Sequence, residues 1–152
     1  MSSTQFATPS SNAGFTLIEL MVTVAIIGIL AAIAIPFYGD AVTRSKIIDG
    51  MTKMADYRTQ MEKYFMDNRT YIAAGACAAT MAPVTGNDDF TLGCLPNAGP
   101  PETYRITATG IAARGMAGFV YTVDQSNAKT STGPGGKYRN ANCWALKKNG
   151  TC

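Results

Sequence analysis

Residues 20–39 form an unbroken run of twenty uncharged residues, with a single carboxylate, Glu19, at its head. At about 1.5 Å of rise per residue, a helix of that length spans about 30 Å, the thickness of a bilayer's hydrocarbon core. A helix that is apolar on every side must be buried all round or lie in lipid. In a chain of 152 residues such a segment is read as a membrane-crossing helix, and the residues after it suffice for one globular domain but hardly two. A cleavable secretory signal fits less well, because its apolar core runs to about 7–15 residues behind a basic stretch. Here the preceding MSSTQFATPSSNAG contains no Lys or Arg.

Glu19 has two readings. Thr16-Leu17-Ile18-Glu19 has the T-x-x-E form of a capping box, and an acid in a first helical turn gains about 0.3–1 kcal/mol from the macrodipole. The second reading starts from a cut after Gly14, which would free an α-amino group on Phe15, one helical turn from Glu19. Placing an acid at a helix centre in a membrane costs about 2.5–3.5 kcal/mol, whereas a unit-charge pair at about 4 Å is worth roughly 4 kcal/mol at an effective dielectric near 20. An amine from a neighbouring helix would therefore offset burial of Glu19 and fix the stagger between two apolar helices.

Gly14-Phe15-Thr16-Leu17-Ile18-Glu19-Leu20-Met21-Val22, followed by the apolar run, resembles the class III signal of type IV pilins. The resemblance implies a leader over residues 1–14, cut after Gly14 by a prepilin peptidase, and an N-methylated Phe15. It implies Glu19 as the acid required for methylation and subunit assembly, self-association into a helical filament, and contact with other pilins and the inner-membrane pilus assembly machinery. The expected location is the inner membrane before assembly and the surface of a Gram-negative cell afterwards. Twitching motility, adhesion or DNA uptake are the roles that such a filament implies. The resemblance is specific over residues 14–36 and extends beyond them only in layout. The terminal Cys-Trp-Ala-Leu-Lys-Lys-Asn-Gly-Thr-Cys is similar, more weakly, to minor pilins of the E type.

Within the apolar run, Gly28, Ala31, Ala32 and Ala34 supply small surfaces on which helices can approach closely. Pro36 removes a backbone donor and clashes with the preceding turn, so a kink is expected there. Residues 15–39 are thus read as the transmembrane and assembly helix, and residues 40–152 as a periplasmic head. In the head, Ile47, Met51, Met54, Met61 and Phe65 recur at helical spacing and predict one core-facing stripe, with the methionines as gap-filling core residues. Asp40, Lys46, Asp49, Lys53, Asp56, Glu62 and Lys63 are assigned to the opposite face, solvated or turned to another subunit. The helix should end near Asp67 and Asn68. Residues 68–102 lack periodicity and read as a long loop. Alternation predicts strands at residues 104–109 and 119–123 and a third at 143–146, with a turn over residues 110–118. The expected fold is α+β: a long N-terminal helix packed on a small antiparallel sheet of three to four strands, as in type IV pilins.

Cys77, Cys94, Cys143 and Cys152 all follow the apolar run, and an even count behind a membrane-targeting segment points to two disulfides in an oxidising compartment. Three pairings are open. Short local loops favour Cys77 with Cys94 and Cys143 with Cys152. A zinc site lacks both histidine and CxxC spacing, so no metal or cofactor is expected. Enzymatic chemistry has little to work with, since Asp88 and Asp89 make a poor acid–base pair and read as a charged loop tip. The net charge of +3 is mild, but after Asp124 the chain carries Lys129, Lys137, Arg139, Lys147 and Lys148 and no acid. Interleaved with Tyr138 and Trp144, these form the candidate surface for DNA or for a host surface, as in a DNA-capturing minor pilin. A type II secretion pseudopilin is the other alternative, although its main form typically carries an acidic calcium loop where this chain is basic.

Overall fold

The computed structural model describes residues 14–78, 88–99 and 102–152. Of the expected leader only Gly14 is among them. The chain divides into two compact units, Met1–Gly39 and Asp40–Cys152, and helix α1, Leu17–Asn68, contributes to both. Helical structure continues through Pro36, so the kink expected there does not end the element.

In the first unit α1 opens on Thr16. Its Oγ1 accepts the Glu19 N–H at 3.3 Å, satisfying one of the donors that a helix start leaves open, and its carbonyl accepts the Leu20 N–H at 3.2 Å as the first intrahelical bond. Beyond this cap the segment buries almost nothing: Phe15 is 80% exposed, Ile27 64% and Ile35 70%. Its mean hydropathy reaches 2.7 over an 18-residue window, long and apolar enough to cross a membrane.

In the second unit the expected stripe faces inward. Ile47, Met54 and Met61 have no exposed surface, Tyr57 is buried beside them, and Met51 and Phe65 pack at the margin. Against this stripe lies a four-stranded antiparallel sheet, ordered β3 (Phe90–Asn97), β4 (Thr103–Gly110), β5 (Val120–Asp124), β6 (Lys129–Thr132). Alternation selects its faces: Tyr104, Ile106, Ala108, Tyr121 and Val123 are buried, while the residues between them point away from the core. A two-residue hairpin, β1 (Ile72–Ala73) with β2 (Ala76–Cys77), precedes this sheet. Phe90 lies over α1 at Gly50, where an added Cβ would stand 2.7 Å from the Phe90 ring. Met54→Ala should lower the unfolding free energy by about 2–5 kcal/mol, because the void left between helix and sheet cannot fully collapse. A denaturant melt of the variant beside the parent chain measures this.

Three expectations are corrected. Residues 68–102 are not one irregular loop: β1, β2 and β3 lie there, although residues 79–87 and 100–101 fall outside the described set. β3 pairs with β4 along its whole length, with Pro96 opposite Tyr104, a position open to proline because β3 is an edge strand. Residues 143–146 form no strand, and the fourth strand is the polar β6. The turn expected over residues 110–118 is present, built on one 3₁₀ turn, Ala112–Arg114, closed by Gly115 with φ +76°. The solvated face of α1 is also only partly solvated, since Lys46, Lys53 and Glu62 bond to groups of the head.

Candidate functional site

Of the residues expected to serve processing and assembly, Gly28 and Pro36 lie inside α1 and the others at its start. Gly14 and Phe15 precede the helix, and Glu19 stands in its first turn with its side chain exposed. A Cβ added at Gly28 would meet nothing within 4 Å. Glycine inside a helix costs about 0.5–1 kcal/mol relative to alanine, and no packing among the described residues accounts for it.

The head is closed by two disulfides, Cys77–Cys94 with Cα atoms 6.1 Å apart and Cys143–Cys152 at 6.2 Å. The first ties β2 to edge strand β3 and closes a loop of 17 residues, a constraint on the unfolded chain of about 3 kcal/mol in the loop-entropy model. The second closes the C-terminal loop. Hydrogen bonds hold that loop against the rest of the head: Tyr138 N–H donates to the Lys148 carbonyl at 3.2 Å, and Asn140 Nδ2 donates to the Gly150 carbonyl at 2.9 Å. Asn140 in turn forms a bridge with Ser131 of β6.

These bonds gather the basic residues of the sequence reading but give them different surroundings. Lys137, Arg139 and Lys147 are exposed and make no ion pair among the described residues. Lys148 is paired with Asp40 on α1 at 2.6 Å, and the carboxylate beside it pushes its pKa up. Lys129 lies over the Trp144 ring, 4.7 Å from its centroid. The Trp144 indole N–H donates to the Thr122 carbonyl at 2.8 Å, and the half-buried ring packs at the margin of the core. Lys129 and Trp144 therefore form one anchored pair, while three cations remain on the outside.

Asp88 and Asp89 do not stand as a solvated loop tip. Both side chains are largely covered, and three cations converge on them. Lys53 bonds Asp88 and reaches Asp49 at 2.8 Å. Lys46 lies 3.2 Å from Asp89 and donates to the Arg114 carbonyl at 2.7 Å, while Arg114 Nε stands 3.5 Å from Asp89. Hydrogen bonds to Asp49 and Asp88 raise the Lys53 pKa. Glu62 is a second such node, accepting from the Tyr104 hydroxyl at 2.8 Å and the Tyr71 hydroxyl at 3.1 Å. Burial, and then the Glu62 carboxylate, push both phenols up. No local sequence signal marks these long-range partners. Among the described residues no cluster of three or more His, Cys, Asp or Glu could hold a metal ion.

An apolar, outward-facing helix with one acid in its first turn, followed by a disulfide-closed head in which the same helix packs on a four-stranded sheet, is the layout expected of a pilin. Comparison with known proteins agrees. Residues 9–35 match the family model described as the prokaryotic N-terminal methylation motif, and residues 36–118 match that of the type IV minor pilin ComP, DNA uptake sequence receptor. Type IV major fimbrial protein FimA of Dichelobacter nodosus is 35% identical over 146 residues, covering 93% of this chain and 86% of FimA. A fimbrial protein of Pseudomonas aeruginosa is 33% identical over 149 residues, covering 86% of this chain and 95% of that protein. Fimbrial protein EcpC of Eikenella corrodens is 44% identical over 73 residues, about half of either chain. The chain belongs to the type IV pilin family.

Proposed function

We propose that the chain is a structural subunit of a type IV pilus, cut between Gly14 and Phe15 by a prepilin peptidase, N-methylated on Phe15, and polymerised through residues 15–39. The observation that carries this reading is the first unit itself: a helix apolar on every side, exposed along its length, with one carboxylate a turn beyond the expected cut and a glycine that no packing among the described residues explains. Such a helix is stored in the inner membrane and reburied among its copies in the filament, with the head and its disulfides outside the cytoplasm. Filaments sheared from native cells and digested should yield an N-terminal peptide beginning at Phe15 and heavier by one methyl group. A peptide retaining residues 1–14 in mature filaments would end the processing model.

The match to the ComP model favours a second reading, a minor pilin that captures DNA. The matched span 36–118 holds eight basic and eight acidic residues, whereas residues 119–152 hold five basic residues and one acid. Any excess positive charge for phosphates thus lies in the C-terminal loop, on Lys137, Arg139 and Lys147. Three such contacts predict affinity falling about 40-fold between ~50 and ~200 mM salt. Full-length chain in detergent should retard duplex DNA with that dependence, and the Lys137→Ala/Arg139→Ala/Lys147→Ala variant should not. Absence of binding at low salt would leave the structural role alone.

A further inference from the structure

The face of the sheet turned away from α1 has a composition that no part of the pilin reading uses. Register aligns Thr107, Thr122 and Thr130 across β4, β5 and β6, and beside them a second row holds Thr91, Thr109 and Thr132 with Val120. Neighbouring strands lie about 4.8 Å apart, so the hydroxyls form a ladder, and Thr122 Oγ1 and Thr130 Oγ1 share a hydrogen bond at 2.6 Å. A third row, Leu95, Arg105 and Asp124, closes one end. There a cleft of about 370 Å³ opens between the ends of β3, β4 and β5, also reached by Asn97 and Gln125, within the usual size range of small-ligand sites.

The chemistry of this face narrows what it can hold. Its charges cancel, Arg105 standing beside Asp124 on the neighbouring strand, so it offers no net attraction to phosphates or to an anionic lipid surface. Leu95, 70% exposed, is its sole exposed large hydrophobic side chain among the described residues, so the face lacks the cluster of buried aromatic and apolar anchors at the centre of a stable protein interface. What remains is hydrogen-bonding capacity. The Arg105 guanidinium and the Gln125 amide donate to no group among the described residues. Asp124 receives Ser126 N–H, Ser126 Oγ–H and Ala128 N–H on Oδ1 alone, at 2.9, 2.6 and 2.9 Å, which leaves Oδ2 with no hydrogen bond among the described residues. Burial opposes ionisation of Asp124, but these bonds and Arg105 outweigh it and hold the carboxyl below its usual range, so it stays an acceptor in mild acid.

We propose that this outer face is a carbohydrate-binding surface: the cleft takes one sugar of an uncharged glycan, with Arg105, Asp124 and the two amides on its hydroxyls and Leu95 under its C–H face, while the threonine ladder carries the adjoining sugars. The test uses full-length chain in detergent micelles and tetramers of the chito-, cello- and malto-oligosaccharide series, read by isothermal titration and by amide chemical shifts. At least one series binds, shifts Arg105 and Thr107, and holds its affinity as salt rises. Arg105→Gln and the Thr107→Val/Thr122→Val pair each weaken that binding about tenfold or more, with melting temperature unchanged. Valine suits a strand as well as threonine does, and Arg105 is exposed, so both variants keep the fold. The proposal is overturned if no series binds, if both variants bind like the parent, or if shifts map elsewhere. It is also overturned if the valine pair alters self-association without a saccharide effect, which would assign the face to a second copy.

Discussion

Glu19→Gln should abolish or nearly abolish filament recovery while leaving chain abundance and head stability at parental values. The amide is easier to place in lipid than the carboxylate, so loss of membrane insertion would not explain the effect. On the proposed processing and assembly, what disappears is the attraction between the carboxylate and the α-amine that cleavage would expose on a neighbouring Phe15, worth roughly 4 kcal/mol before desolvation at an effective dielectric near 20. Even about 1.4 kcal/mol net at each subunit contact is tenfold in an association constant, and a filament repeats the contact at every step. Filaments are counted after shearing, and cleavage is checked by the mass of the N-terminal peptide. A processed Glu19→Gln chain that builds filaments at the parental level would refute the charge-register account, leaving Glu19 as a first-turn acid favoured by the helix macrodipole, its N–H capped by Thr16 Oγ1.

Gly110→Ala should have the largest effect on the head, at more than about 4 kcal/mol, enough to leave little folded chain. An added Cβ would overlap the Met116 carbonyl oxygen and stand 2.9 Å from the Met116 Cβ, and neither is the far end of a flexible side chain. The position cannot drift away. Gly110 ends β4 opposite Phe90, and its N–H donates to the Phe119 carbonyl at 2.8 Å, so any shift breaks two strand junctions together. Circular dichroism and a denaturant melt of the full-length variant decide the matter; parental stability would mean that the 3₁₀ segment after β4 yields more easily than its packing implies.

The elements legible from local sequence are those whose own periodicity matches their burial. The helix stripe from Ile47 to Phe65 and the alternation of β4 and β5 each follow from one residue deciding which way the next must face. β3 is illegible because Gly93, Pro96 and Asn97 are poor strand formers. It exists because all eight of its residues pair with β4 and Cys94 bonds Cys77. The apolar Cys143-Trp144-Ala145-Leu146 resembles a strand for the opposite reason. Ala145 is buried with its N–H on Ser131 Oγ, and the Leu146 N–H turns to the Thr151 carbonyl, so the segment covers β6 without joining the sheet. β6 itself, Lys129–Thr132, is polar and takes its pairing from β5.

From its residue order alone this chain was bound to carry an exposed apolar helix with one acid in its first turn and an oxidisable head, because length, hydropathy and the placement of charge are properties of neighbouring residues. Tertiary structure decided the rest. It took Asp88 and Asp89 from an expected loop tip into ion pairs with Lys46, Lys53 and Arg114, set Asp40 against Lys148, and left Lys137, Arg139 and Lys147 as the exposed cations. Each of those pairings joins groups far apart in the chain, and their strength depends on a distance and a degree of burial that exist only after helix and sheet have packed.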